Sequence, residues 1–516
     1  MTVPPGPVFI IGAGPGDPGL ITARGLRLLA QADVVVYDTA VEPVLRLARP
    51  EAERIAAGAP AERDTAQDAI SMLVAEKARD GHTVARLKWG DPFVFDSGAK
   101  EAMFLHEQGI PFEIVPGVPS AVGATAYAGI PATHPEAGDA LVLVRGHESE
   151  ADEMPDVDWQ ALARMDGTIS CYAGGRAIPT ILQRLLDHGM SPDVPAAIVH
   201  HGTLPTQQTA AGTIGSLLAQ LGSEAAPEVG LLVVGRVVAL RQHLRWFDER
   251  PLFGRRIVVT RSPEQAPELV ERLEALGAQA IQAPTFRIVP PEDPEAIDRA
   301  AASIDDYQWV VFESAGTATR FLTALTRGPR DLRALGRVHV CAIGPSTADR
   351  LSAAGIRPDV VAPEVGPDRI SDAMAAFAPI EGRSVLVIRP DVLRTAIGDE
   401  LVRHGAVVTD LVAYRTEPVT PDSRGAQELY RMLLDGQVDA VTFTSPTALR
   451  RFGVLIGEEQ AADLLNTTTV VTIGPVTAAA ALEMGVEAPI VPATYTVNGL
   501  LQVLVNQFGT TERRTG

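Results

Sequence analysis

In the second half of the chain, three segments recur in the same order, and this repeat restricts the architecture more than any other feature. RIVVTR (256–261) returns as SVLVIR (384–389), WVVFESAGTATRF (309–321) as AVTFTSPTALRRF (440–452), and CAIGPSTADRLSAAGI (341–356) as VTIGPVTAAAALEMGV (471–486). Anchored on Arg261/Arg389, Ser314/Ser445 and Gly344/Gly474, the offsets are 128, 131 and 130 residues. Each segment holds a β-rich run, and two of the three break at Gly, Ser or Pro into a helical pattern. The half therefore reads as two similar α/β lobes. The stretches joining them are proline-punctuated, IVPPEDP at 288–294 and RTEPVTP at 415–421. Two such crossings predict a hinge beside a cleft.

The first half alternates apolar β-rich runs (VVVYD 34–38, FEIVPG 112–117, ALVLVRG 140–146, TISCYAG 168–174, AAIVHHG 196–202, GLLVVGRVV 230–238) with helical segments at 22–32, 64–80 and 178–189. That alternation predicts an α/β domain with largely parallel strands and a ligand beyond their carboxyl ends. Its first strand runs into IIGAGPGDPGL (10–20), a turn built for close backbone approach. The spacing is not that of a dinucleotide site, because Asp17 stands where G-x-G-x-x-G needs its third glycine. Charged, proline-bearing QHLRWFDERPLFG (242–254) marks the boundary, giving domains 1–247 and 248–516.

At 516 residues, two or three domains are expected. A net charge of −20 argues against a nucleic-acid partner. Cys171 and Cys341 are the only cysteines and lie far apart, so neither a disulfide framework nor a metal site is expected. The start lacks a basic n-region and no apolar run is long enough to span a bilayer, which predicts a cytoplasmic protein without a membrane partner.

In the repeated loops, Ser314, Thr347, Ser445 and Thr477 fall at or beside helix N-termini. They can act as N-caps. Together, four such termini facing one cleft would also suit a substrate rich in carboxylates. Arg261, Arg389 and Arg394 can add bidentate contacts or be plain surface arginines. Tyr414, ending DLVAY, is either a core residue or a phenol reaching the cleft. No Ser–His–Asp set, metal-ligand cluster or phosphate loop occurs in this half, which predicts a positioning catalyst without cofactor or metal.

VTR, the paired F-x-S blocks, AYRT and the two IGPxTA blocks make residues 254–508 resemble uroporphyrinogen-III synthase. The resemblance implies one lobe from 254–287 plus 417–508 and another from 290–414. It implies cyclisation of hydroxymethylbilane with inversion of ring D: loss of the terminal hydroxyl gives an azafulvene, a spiro intermediate forms, and the macrocycle recloses. Thr347, Tyr414 and Thr477 would be the cleft residues, Tyr414 assisting hydroxyl departure, with Arg261, Ser314, Arg389 and Ser445 as substrate contacts.

GAGPGDPGLIT, VVVYD, RLKWGDPFVF, PFEIVPG, AYAGIPATH and HGTLPTQQ make residues 8–247 resemble the S-adenosylmethionine-dependent uroporphyrinogen-III C-methyltransferases of the tetrapyrrole methylase fold. By resemblance, Pro15, Trp89, Gly90, Asp91, Val94, Pro119, Ser120, Ala173 and Gly202 line the cofactor site and Asp38 is the proton acceptor. The pattern departs at Trp89 (a glycine in the family), Ala59 (a lysine) and 96–101, which reads DSGAKE for G-R-G-G-E-E.

The expected architecture is thus an α/β methylase-like domain followed by a two-lobed α/β synthase, acting on small-molecule tetrapyrroles that lead to heme, siroheme and cobalamin. A homodimer through the methylase-like half is the oligomer the resemblance implies. Three readings follow. In the first, the chain both makes uroporphyrinogen III and methylates it towards precorrin-2. In the second, the methylase-like half is a structural or substrate-holding module beside a working synthase. Without the resemblance, the residues also allow a two-lobed sugar- or anion-binding protein fused to a nucleotide-binding domain.

Overall fold

The computed structural model describes residues 4–49, 51–57, 63–146, 156–175, 177–221, 230–262, 265–328, 330–362, 367–391 and 396–509, with the backbone alone at 63–66 and 396. It divides into two compact units, one of Met1–Arg255, Leu273–Gln279 and Phe508–Gly516, the other of Arg256–Arg272 and Ala280–Gln507. No described helix is long and apolar enough to cross a membrane.

The first unit holds two five-stranded sheets. One contains β1 (Val8–Gly12), β2 (Val34–Tyr37), β3 (Glu53–Ala56), β4 (Val84–Lys88) and β5 (Phe112–Val115), in the order β3-β2-β4-β1-β5, all parallel. Unbroken apolar runs such as Val34–Val35–Val36 suit such a sheet, because both faces are covered. The other contains β6 (Ala140–Arg145), β7 (Gly167–Ala173), β8 (Pro195–His200), β9 (Gln208–Thr213) and β10 (Gly230–Val234), ordered β6-β7-β10-β8-β9. Here the expectation of largely parallel strands fails. Only β6 and β7 run parallel; β10 is antiparallel to both its neighbours, and β9 to β8. The cause is the connection. Seven residues join β8 to β9, enough for a hairpin and too few for the helical crossover that a parallel pair requires.

The second unit realises the repeat. A four-stranded sheet has the order β12-β11-β19-β20, from β11 (Arg256–Val259), β12 (Gln279–Gln282), β19 (Ala440–Phe443) and β20 (Thr469–Thr472). A six-stranded sheet has the order β13-β18-β17-β14-β15-β16, from β13 (Phe286–Val289), β14 (Trp309–Phe312), β15 (His339–Ile343), β16 (Val360–Ala362), β17 (Ser384–Pro390) and β18 (Val407–Pro418). The repeated segments occupy equivalent places, since β12-β11-β19-β20 matches β18-β17-β14-β15 strand for strand. The two crossings lie side by side: β13 pairs antiparallel with the end of β18, Phe286 opposite Pro418 and Val289 opposite Arg415.

Alternation along β17 sends Leu386 and Ile388 into one core and Val385 and Val387 into the other. On β18 the alternation breaks. Arg389 pairs with Val412, but Pro390 pairs with Tyr414, so Ala413 is one residue too many. This bulge puts Ala413 and Tyr414 in the same core cluster, where a regular strand would point them to opposite faces.

Candidate functional site

In the first unit, three strand ends converge on glycines. A Cβ on Gly12 would lie 2.5 Å from Gly117 N, and one on Gly117 would lie 2.1 Å from Gly90 O, so only glycine permits this approach. Gly14 and Gly90 exchange backbone hydrogen bonds (3.2 and 2.9 Å). Asp91 locks the junction, its carboxylate accepting from Gly117 N at 2.9 Å and Phe93 N at 2.8 Å. Val94 closes the turn that follows, its N–H bonded to Asp91 O.

The helix α1 (Ser120–Tyr127), with Pro119 as N-cap, is the surface on which these loops meet. Its residues are mostly small, so neighbours come close. Pro15 rests where a Cβ of Gly123 would be, Gly202 where it would strike Ala124, and the Tyr172 hydroxyl accepts from Ala121 N at 3.0 Å. Asp17 ties the entry loop down. Its N–H donates to Thr203 Oγ1 (2.9 Å) and its carboxylate accepts from the Tyr127 hydroxyl (2.6 Å). Burial, then the Asp17 carboxylate, raises the Tyr127 pKa well above the usual phenol value, so this hydroxyl stays a donor.

Gly90 adopts φ +66°, and a Cβ there would meet Pro119 Cα, Ser120 N and Ser120 Oγ only at 3.9 Å. Gly90 therefore lies within ordinary van der Waals distance of the first turn of α1. The Trp89 indole packs against the cluster of Ile11, Leu29, Val35 and Val41. The structure thus brings Pro15, Gly90, Asp91, Val94, Pro119, Ser120 and Gly202 together. Ala173 differs: its methyl belongs to the core with Ile178 and Leu182, while the preceding Tyr172 faces α1. Ala59 lies outside the described residues.

Asp38, at the end of β2, sits over a buried charge network. Arg86 Nη2 binds Asp38 Oδ1 at 2.5 Å and Arg86 Nε binds Glu101 Oε2 at 2.9 Å; Lys88 Nζ reaches Glu101 Oε1 (3.0 Å) and Asp96 Oδ1 (2.9 Å). Arg86, Lys88 and Glu101 are 1–2% exposed. Burial works to raise the Glu101 carboxyl, but the Arg86 and Lys88 charges outweigh it and hold the group at about 2. Asp96 is pushed the other way, chiefly by burial and further by Asp38. Asp96 and Ser97, where the family pattern has Gly-Arg, supply two of the ligands to Lys88.

In the second unit, the β18 bulge aims Tyr414 at helix α2 (Ala315–Arg327). The phenol oxygen lies 3.4 Å from Oγ of Ser314, which caps α2 by accepting from Thr317 N at 3.2 Å. The Arg320 guanidinium stacks over the Tyr414 ring, 4.5 Å from its centroid. Ser445 caps helix α4 (Pro446–Ile456) in the equivalent place, accepting from Ala448 N at 3.1 Å. The capping role therefore holds for the two serines. It fails for the threonines: helices α3 (Pro345–Ala353) and α5 (Pro475–Glu483) are capped by Gly344 and Gly474, and Thr347 and Thr477 are buried in the first turn. Gly344 takes φ +79°, a conformation threonine would resist.

The arginines divide. Arg389 is engaged by Asp410 (2.7 Å) and by Pro390 O, so its fork is occupied within its own sheet. Arg261 is different: its Nε and Nη1 are buried without a hydrogen-bond partner, and Glu268 approaches only to 3.9 Å. Burial lowers its pKa, yet a guanidinium stays charged, and its ion-pair partner among the described residues is the distant, exposed Glu268 carboxylate. Arg394 lies outside the described residues. Sequence patterns missed Arg320, Tyr127, Tyr172 and Asp96, because their partners are 94, 110, 51 and 8 residues away and no spacing rule links them.

A family model for uroporphyrinogen-III synthase HemD matches residues 267–502, and one for tetrapyrrole (corrin/porphyrin) methylases matches residues 7–218. The porphyrin biosynthesis protein HemD of Ruminiclostridium josui is 34% identical over 476 residues, 92% of this chain and 93% of that protein. The uroporphyrinogen-III C-methyltransferase of Bacillus subtilis (strain 168) is 35% identical over 337 residues, 65% of this chain and 69% of that protein. The siroheme synthase of Neisseria meningitidis serogroup C (strain 053442) is 48% identical over 244 residues, 47% of this chain, and the chain spans half of its length. The chain belongs to the family of the porphyrin biosynthesis protein HemD, with a tetrapyrrole methylase domain followed by a uroporphyrinogen-III synthase domain.

Proposed function

We propose that the second unit cyclises hydroxymethylbilane to uroporphyrinogen III with inversion of ring D, and that the first unit C-methylates this product towards precorrin-2. The observation that carries the first part is the bulge that turns Tyr414 onto the α2 N-terminus beside Ser314. In this reading the Tyr414 phenol donates its proton to the terminal hydroxyl of the bilane as the C–O bond breaks, and water leaves. Helix N-termini capped by Ser314 and Ser445, the first turns holding Thr347 and Thr477, and Arg261, whose Nε and Nη1 have no hydrogen-bond partner, supply donors for the substrate carboxylates. Arg389 contributes through Asp410 rather than directly.

The glycine-lined loops that meet at the first turn of α1, where backbone can approach a ligand closely, suit S-adenosylmethionine, which supplies an electrophilic methyl group when bound. Gly90, Asp91, Val94, Pro119 and Ser120 would hold it, with Pro15 and Gly202 backing α1 and Ala173 contributing backbone only. Asp38 takes the proton lost from the substrate carbon, and Arg86 fixes its orientation.

Supplying the full chain with hydroxymethylbilane, with and without methyl-labelled S-adenosylmethionine, and resolving the products tests both parts. Type III isomer and label in the macrocycle are expected. Type I isomer alone would refute the synthase assignment; type III without label would refute methylation and favour a holding role for the first unit.

A further inference from the structure

Beside Tyr414 a pocket of about 600 Å3 runs along α2, lined by Ala315, Gly316, Thr319, Arg320, Arg350 and Ala413 among others. That volume is within the usual range for small-ligand sites. In a chain with 64 acidic against 44 basic residues, this pocket is lined by three arginines and, among the described residues, by no carboxylate. Arg327 is already paired with Asp298 at 2.7 Å. Arg350 is not: its Nε is oriented by Thr319 Oγ1 at 2.7 Å, and it forms no ion pair among the described residues. The fixed Nε leaves the outer edge of the guanidinium to meet a ligand, the arrangement suited to a bidentate carboxylate. Arg320 links pocket and phenol, with one nitrogen on Gly316 O (3.3 Å) and its plane over Tyr414. The remaining lining, including Ile297, Ala324 and Ala413, is apolar apart from Thr323 and matches methylene stems and a pyrrole face.

We propose that this pocket seats a carboxylate-bearing arm of the linear tetrapyrrole, with Arg350 as its anion-binding group and Arg320 as the positioning residue that couples the seated arm to Tyr414. The inference rests on the reading of the second unit as a synthase. Seating one arm fixes which pyrrole presents its hydroxymethyl group to the phenol, so the pocket contributes to choosing the reacting end.

The test measures initial rates of type III formation by the full chain for the unsubstituted protein, Arg350→Gln, Arg350→Lys and Thr323→Trp, the last placing an indole in the pocket without replacing an arginine. Arg350→Gln should raise KM about tenfold with kcat within about twofold, as expected for a lost charged contact. Arg350→Lys should fall between, and Thr323→Trp should raise KM similarly while thermal unfolding is unchanged. KM within about twofold for both Arg350→Gln and Thr323→Trp, in a protein whose unsubstituted form makes the type III isomer, overturns the pocket assignment alone. Failure of the unsubstituted protein to make type III overturns the synthase reading and this inference with it.

Discussion

Replacing Glu101 by glutamine should destabilise the first unit by an amount that depends on pH in a defined direction. Glu101 is 2% exposed and receives Arg86 Nε, Lys88 Nζ and Gln67 Nε2 at 2.9–3.0 Å. Its folded value of about 2 against an ordinary 4.5 corresponds to roughly 3 kcal/mol of stabilisation. Removing one partner from a buried ion pair costs about 3–5 kcal/mol in general, so two independent routes agree. Because the folded value is depressed, the contribution is fully present above the unfolded value of 4.5 and is lost as pH falls towards 2. The difference between the unsubstituted and Glu101→Gln proteins should therefore be about 3 kcal/mol at neutral pH and shrink steadily through the acid range. Urea unfolding followed by tryptophan emission reports on the correct region, since Trp89, Trp159 and Trp246 belong to the first unit and only Trp309 to the second. A neutral-pH penalty below about 1 kcal/mol, or a penalty as large at pH 3 as at pH 7, would refute the reasoning.

Tyr414→Phe should lower the synthase kcat by about two orders of magnitude with little change in KM, measured as type III isomer formed per unit time. Gly90→Ala should abolish the melting-point rise given by S-adenosylhomocysteine, because the backbone at φ +66° resists any Cβ and the loop must shift to take one. Burial pushes the thiols of Cys171 and Cys341 up to about 12, so a neutral-pH thiol reagent should label neither in the native protein and both in urea.

Much of the architecture was legible because it rests on periodic signals. The 128–131-residue repeat became two sheets with one strand order, and the valine runs became buried parallel strands. What escaped had no periodic trace. Gln208–Thr213 is a polar, half-exposed edge strand, and Glu53–Ala56 likewise presents little apolar pattern. The direction of β10 between two partners is a tertiary choice that no local sequence encodes. At the site, Tyr414 could be named from its neighbours in sequence but its orientation could not, since one extra residue at Ala413 decides which face it takes. Asp96 looked like a lost pattern residue; in space it neutralises Lys88. Arg389 looked available and is spoken for by Asp410, whereas only its counterpart Arg261 kept bare nitrogens.

The side-by-side crossings also set an order of assembly. The four-stranded sheet joins Ile257 to Ala440, a closure across more than 180 residues that would be entropically slow in an open chain. The six-stranded lobe lies wholly inside that interval, and its two ends are partners, Phe286 facing Pro418. Once the inner lobe has folded it acts as a clip that holds its own flanks together. The outer lobe then closes as though the intervening segment were a short turn. During synthesis the inner lobe can complete before the ribosome has released β19 and β20, so damage to the β13–β18 ladder should surface first as slow maturation of the outer lobe rather than as loss of the inner one.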